Sequence, residues 1–288
     1  MYYSYPGLKA RLEAEQQAES RDERLIADIM AAVLVVEQDQ AELLRDFAKL
    51  TDLYEITFDI AWALFKPNML VLNRHEPTDE YRILLVRRVG YAERRDNTRY
   101  LKVVCDILHD DGKQFGYAHV ICEVNEFRGV KKITDLDIYP LEYCPIASKD
   151  DVYVSSVELG RKFAKMPKHA YYEITGQAMR DCSDQERYSY WRGRGRRDMG
   201  QTTEKFYVRV FTPLPSSTLY TNLCFSLKTS GRVMISPSAF NRFQPDSNCN
   251  PSVHHPISRD GLTEEQYAIC TPILLGFSFD RKSWGECF

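Results

Sequence analysis

The sequence has no long hydrophobic run, no closely spaced cysteine pair and no complete phosphate-binding loop, and each absence removes a class of function. The longest apolar stretch, residues 29–36, is bounded by Asp28 and Glu37, far short of the ~20 residues a membrane-spanning helix needs. No membrane span is expected. The start, MYYSYPGLKARLEAEQQ, lacks the basic-then-apolar order of a secretory leader, so the expected location is cytoplasmic or nuclear. The eight cysteines (105, 122, 144, 182, 224, 249, 270 and 287) contain no CxxC spacing and read as reduced thiols, several of them filling the core. Structural zinc sites usually advertise themselves by close ligand pairs, and His254 with His255 is the single one in the chain, so no metal is expected. A net charge of −3 argues against a general attraction to nucleic acid or acidic membranes, while leaving local patches open.

The motifs of hydrolytic chemistry are missing as well. There is no G-x-S-x-G elbow and no H-E-x-x-H helix. Asp110 and Asp111 stand at a turn, where they read as turn formers rather than as a general acid and base. His109 and His119 are expected to face each other across a hairpin as a structural pair. A phosphate loop needs G-x-x-x-x-G-K-[ST] between a buried strand and a helix, because backbone amides cradle the phosphates and the lysine reaches the terminal ones. Residues 195–202, GRRDMGQT, come nearest, but Gln201 occupies the lysine position and no buried strand precedes them. No complete set of nucleophile, base and oxyanion donors can be assembled, so no catalytic residue and no cofactor are expected in this chain.

What is present is a globular composition: 288 residues, 44% hydrophobic and 27% charged, with 18 Tyr and 14 Phe that favour sheet. The expected class is α+β, a strand-rich and mostly antiparallel domain over 54–288 with a helical lead-in over 1–53 and a few short helices. Residues 8–53 are rich in Ala, Glu, Gln, Leu and Arg and predict two helices interrupted near Ser20, each with an apolar stripe. Their heptad pattern is not sustained, which favours packing on their own domain over a coiled-coil arm. In EITFDIAWALFKPNMLVL (55–72) a short core element is expected, stopped by Pro67 and restarting as a strand at 69–72. Strands are expected at 81–89, 100–108, 115–124 and 133–138, the second and third joined by an Asp111-Gly112 turn. The arginines 87, 88, 94, 95 and 99 are placed on one solvated loop between two of these strands.

Ser148 with Asp151 has capping-box spacing ahead of a helix ended by Pro167, and Gly160 inside that helix suggests close packing against another backbone. Strand resumes at 171–177. Residues 180–229 lose all periodicity and read as an irregular insert. Residues 233–235 read as strand, followed from Pro237 by a short helix carrying Phe240 and Phe243 on one side. QPDSNCNPSVHHP reads as a polar loop, Thr263 with Gln266 as a second capping box, and 273–279 as the last strand. The end at Phe288, close after Trp284 and without a polar tail, looks cut.

Taken together, the blocks EITFDIAWALFKPNMLV, DGKQFGYAHVICEVNEFRGVKKITDLDIYPLEYCP, ELGRKFAKM with HAYYEITGQA, SGRVMISPSAFNRFQP and LTEEQYAICTPILLGFSFDRKSWGECF resemble a domain of unknown function that precedes the ATPase module in fungal AAA-type ATPases. The resemblance runs from about Ala41 to the end. Its signature positions are Trp62, Leu64, Phe65, Pro67, Tyr139, Pro140, Glu142, Gly160, Arg161, Phe163, Gly231, Arg232, Phe240, Asn241 and Phe243. It implies a non-catalytic, partner-recognition region with a protein client, with ATP and magnesium confined to a downstream module whose motifs are absent here. Residues 209–228 depart from that family, either as a retained intron in the gene model or as a lineage-specific loop. The alternative function is RNA binding through Tyr188, Tyr190 and Trp191 beside Arg192, Arg194, Arg196 and Arg197, which could stack bases and pair phosphates.

Overall fold

The computed structural model describes residues 2–18, 21–75, 80–179, 207–208, 226–243, 250–270, 274–279 and 283–287. The aromatic and arginine-rich segment 188–197, the GRRDMGQT segment and residues 209–225 of the insert lie outside the described residues.

The lead-in forms three helices, α1 (Tyr5–Gln17), α2 (Glu23–Asp39) and α3 (Ala41–Asp52), where composition predicts two. The extra break is at Gln40, whose φ of −124° and ψ of 22° leave the helical region without a glycine or proline to announce it. Helix α2 starts on Asp22, whose carboxylate accepts the Arg24 and Leu25 amides and so satisfies two orphan donors. The Tyr5 hydroxyl donates to Glu37 at 2.6 Å, fastening α1 to α2.

In the stretch that follows, β1 (Glu55–Thr57) leads into a 3-10 turn (Phe58–Leu64) that buries Phe58, Ala61, Ala63 and Leu64, with Phe65 fully enclosed behind it. Trp62 is half-buried, and its ring meets Tyr2 and Tyr3 edge-on at 5.0 and 5.6 Å. Asn68 takes a left-handed φ of 63°, after which β2 (Leu70–His75) begins as expected.

The three central strands form and are longer than predicted: β3 (Glu80–Glu93), β4 (Arg99–Asp110) and β5 (Phe115–Asn125). Their length corrects the arginine reading, since Arg87 and Arg88 belong to β3 and Arg99 opens β4, leaving Arg94 and Arg95 at the turn. The strand expected at 133–138 is broken up. β6 (Val130–Lys132) pairs with β1, a 3-10 turn takes Ile133–Asp135, and β7 (Ile138–Pro140) follows. Ile133 donates its amide to Tyr54 and Leu136 donates back to Ile133, so these donors close a turn instead of extending a ladder.

Helix α4 (Ile146–Ala164) starts two residues before Ser148, so the expected capping box falls inside it. It ends before Pro167 by tightening, with Met166 donating to Phe163. Five strands close a barrel in the order β10-β12-β13-β9-β8: β8 (Ala170–Met179), β9 (Tyr207–Val208), β10 (Ser226–Ile235), β12 (Leu274–Ser278) and β13 (Ser283–Cys287). Its pairings are antiparallel except β13 with β9. Between these strands come α5 (Pro237–Phe243), β11 (Val253–Pro256) and α6 (Glu264–Ala268). Phe240 is fully buried on α5 but Phe243 is exposed, so the two do not share a buried side. Thr263 and Gln266 form the predicted reciprocal capping box.

The remaining sheet has the order β11-β5-β4-β3-β2-β7. The chain divides into two compact units: residues 1–71, 85–105 and 121–145 in one, and 72–84, 106–120 and 146–288 in the other. The class is α+β, with antiparallel sheets, N-terminal helices and several short helices. No described helix is long and apolar enough to cross a membrane.

Candidate functional site

From Val103 onward β4 is buried residue after residue, yet it carries a carboxylate: Asp106 is 1% exposed between buried Cys105 and Ile107. Buried carboxylates need a hydrogen-bonding or cationic partner, because desolvation of an isolated charge is prohibitive. One Asp106 oxygen lies 2.6 Å from Nδ1 of His119 on the neighbouring strand β5, and the other lies 3.9 Å from Nε2 of His254 on β11. The two imidazoles stack, with centroids 3.9 Å apart and planes 24° from parallel. His119 and His254 are exposed on their outer sides.

His254 reaches this cluster because of a backbone irregularity. Val253 pairs with Ala118 and His255 with Tyr117, so His254 is an extra residue in the ladder, a β-bulge. Simple alternation would aim residues 254 and 255 at opposite faces. With the bulge, His254 stacks on His119 while His255 lies against Tyr117, at 6.0 Å between centroids. Gly116 on β5 permits this close approach, since a Cβ there would sit 2.2 Å from the His255 carbonyl oxygen.

The hairpin tip beside the cluster is built by its two aspartates, as the sequence predicts. Asp110 accepts the Gly112 amide at 2.8 Å, and Asp111 accepts Lys113 and Gln114 at 2.8 and 2.9 Å, while Gly112 supplies a φ of +89°. Asp110 also pairs with Arg259, which donates to the Met166 carbonyl and lies over the Phe115 ring. The other Asp111 oxygen takes the Val253 amide at 3.1 Å, and its carbonyl accepts Asn241 and Asn250. Burial opposes ionisation of Asp111, but the three backbone amides outweigh it and hold the carboxyl below its ordinary 3.8.

His109 and His119 do not face each other, contrary to expectation. His109 is enclosed, and its Nε2 meets the Asn250 side-chain oxygen at 2.9 Å. The Asn250 amide nitrogen donates to Asp111, so its oxygen must accept, which places the proton of His109 on Nε2 and leaves Nδ1 as a buried acceptor without a partner. Burial pushes the His109 pKa below its ordinary 6.5, with the Asn250 contact and the charges of Asp110 and Asp111 opposing. The unfolded chain therefore takes up this proton first, and the stability His109 contributes is whole above pH ~6.5 and is lost as pH falls towards the folded value. Melting temperature measured from pH 7.5 to 5 should fall more steeply for the native chain than for His109→Gln. Parallel curves would exclude His109 as the source.

The described cysteines 105, 122, 144 and 270 are buried, as predicted for core thiols. Burial raises the Cys270 thiol to about 12, so it is inert at neutral pH.

A second feature belongs to the other unit. A pocket of about 450 Å³ is lined by Tyr3, Trp62, Pro67 and the β3 segment from Arg87 to Tyr91. Its walls are held by hydrogen bonds from the Tyr3 hydroxyl to the Trp62 carbonyl (2.8 Å) and from the Tyr91 hydroxyl to the Phe58 carbonyl (2.6 Å). Arg87 donates to the Asn68 side chain at 2.7 Å, and Arg88 is exposed at the rim.

The signature positions scatter over these elements and serve packing. Trp62 and Pro67 line the pocket, and Leu64 and Phe65 are buried behind it. Tyr139 and Pro140 are buried in β7, with Glu142 exposed in the turn after it. On α4, Gly160 touches the backbone of Tyr267, Arg161 reaches Glu264 at 3.3 Å, and Phe163 packs on Phe115 at 6.2 Å. Gly231 and Arg232 lie in β10, and Phe240, Asn241 and Phe243 in α5. None of them enters the Asp106 cluster, which sequence reasoning missed because its residues are distant in the chain. The one signal in the sequence is the adjacent His254-His255 pair, of which His254 joins the cluster.

No curated protein and no solved structure matches the chain. A family model covers the part that runs from the middle of α3 to the residue before α4; it includes the Trp62 to Pro67 and Tyr139 to Glu142 signatures and leaves the later ones outside. Residues 46–145 match the family described as a domain of unknown function (DUF7025).

Proposed function

We propose that this chain is a non-catalytic recognition region of an AAA+ ATPase-like protein and that it holds an acidic segment of a protein partner in the pocket between Trp62 and Tyr91. The link to such ATPases is supported by the sequence blocks that resemble the region ahead of their ATPase module. The observation that carries the recognition reading is the pocket itself: half-exposed aromatic rings and Pro67 for apolar contact, with Arg87 and Arg88 on its β3 wall. Aromatic anchors beside arginine are the composition of binding hot spots, and an anionic segment complements the rim.

An array of acidic peptides, each with an aromatic or proline anchor, probed with the full chain alongside neutral and basic counterparts, tests the reading. Acidic peptides should bind best, binding should weaken with salt, and Arg88→Glu should lower affinity several-fold, mainly by slowing association. Equal binding of neutral and acidic peptides, or an Arg88→Glu chain that binds like the native one, would remove the pocket from the account. Steeply salt-dependent RNA capture that is lost on substituting Arg192 and Arg194 would move the function to the alternative segment. The ATPase part is tested separately by the transcript: a phosphate-loop sequence encoded in frame downstream supports it, and a messenger without one overturns it.

A further inference from the structure

We propose that Asp106, His119 and His254 form a binding site for a divalent transition-metal ion of the zinc class, with at least one coordination position left to solvent. One carboxylate oxygen and one nitrogen from each imidazole lie within 4.8 Å of one another. This N₂O donor set suits borderline ions such as Zn²⁺ or Co²⁺ better than Mg²⁺ or Ca²⁺, which prefer all-oxygen shells. At zinc–ligand distances of about 2.0–2.2 Å, tetrahedral ligands stand roughly 3.3–3.6 Å apart. The observed separations, 2.6 Å from one Asp106 oxygen to His119 and 3.9 Å from the other to His254, straddle that spacing, and coordination turns the two imidazoles out of their stack until their in-plane lone pairs converge on the ion. The ion takes the place of the Asp106–His119 hydrogen bond.

Two observations separate this cluster from an ordinary Asp–His hydrogen bond. The first is the third group: His254 stands too far from the carboxylate for a hydrogen bond to it, and it is brought there by a β-bulge. The second is burial: the Asp106 carboxylate is 1% exposed while both histidines that reach it are exposed, so an ion can enter the cluster from solvent. The ligands come from β4, β5 and β11, adjacent strands of one sheet, which holds them on rigid elements. Three protein ligands and outward-exposed rings match sites that keep a water or exchangeable ligand, not closed four-ligand structural zinc.

The test uses the full chain, prepared free of metal, and CoCl₂ and ZnCl₂ as the probes. Titration with Co²⁺ should give a visible absorption spectrum that saturates at one equivalent, and Zn²⁺ should displace it. His119→Ala and His254→Ala should each weaken binding by more than about a hundredfold, beyond the loss from disturbing an outer contact. The His254 ring is partly exposed and stands 3.9 Å from the carboxylate, so the metal-free melting temperature of His254→Ala should stay close to the native value and show that the fold survives. Asp106→Asn, which keeps the side-chain shape, should weaken binding likewise. His255→Ala should bind as the native chain does. The proposal is overturned if no saturable cobalt spectrum forms, if His254→Ala binds like the native chain, or if His255→Ala is as damaging as His254→Ala, which would place the ion on the adjacent histidine pair.

Discussion

Replacing Gly160 by alanine should destabilise the chain by about 3 kcal/mol and lower its melting temperature by about 5–10 °C. In most helices that change stabilises by up to about 1 kcal/mol, since alanine is the better helix former. Here the added Cβ would stand 1.9 Å from the Tyr267 carbonyl oxygen and 2.7 Å from its carbon, both backbone atoms that cannot rotate away. To restore even 3.0 Å, α4 and α6 would have to separate by roughly 1 Å, opening a close-packed interface in which Val157 and Phe163 are buried on α4 and Ala268 on α6. The steric term therefore exceeds the propensity gain. Gly7→Ala is the control, because that glycine also lies in a helix and nothing stands within 4 Å of its Cβ position. Thermal unfolding of both variants decides the matter; a Gly160→Ala chain that melts at or above the native temperature would show that the two helices yield easily.

Removing the Asp111 carboxylate should cost about 3–5 kcal/mol in Asp111→Ala, since charge-assisted hydrogen bonds contribute about 1.5–3 kcal/mol each and the turn amides regain some water. Two of its three amide partners close the hairpin, but the third, Val253, fixes the start of β11. The loss should thus be local as well as global: hydrogen exchange at the Val253 amide should rise by more than that of β4 amides such as Val104. The sign of the pH dependence follows from the lowered pKa. The stability Asp111 contributes is present above its unfolded value of about 3.8 and is lost as pH falls below it, so native and Asp111→Ala melting temperatures should converge in acid. A difference that persists unchanged through that range would mean the carboxylate is not the source. His254 follows Val253 directly, so this variant should also loosen the metal cluster.

The local features of this fold were legible because their causes lie within a few residues. Asp111 and Gly112 make a turn through bonds within a few residues, Thr263 and Gln266 cap each other across one helical turn, and runs of β-branched and aromatic residues bounded by turn signals mark β3, β4 and β5. Gly160 is a softer case: a glycine in a helix signals close approach, though not to which backbone. The break at Gln40 escaped because polar residues there fit a helix as well as a turn. The split of 133–138 escaped because its deciding acceptor, the Tyr54 carbonyl, lies far back in the chain.

The sequence by itself determined the α+β class, the buried thiols, the hairpin at Asp111 and the capped helix after Thr263, since each rests on short-range chemistry or on composition. Only the tertiary structure decided that Val253–Pro256, polar and proline-ended, would become a strand. Its ladder bonds come from the edge of β5, and its own side chains show no alternation to predict them. The same pairing, through a one-residue bulge, turned His254 onto His119 and Asp106. A metal-ligand set drawn from three strands is a property of their register, and register is fixed by contacts distant in the chain.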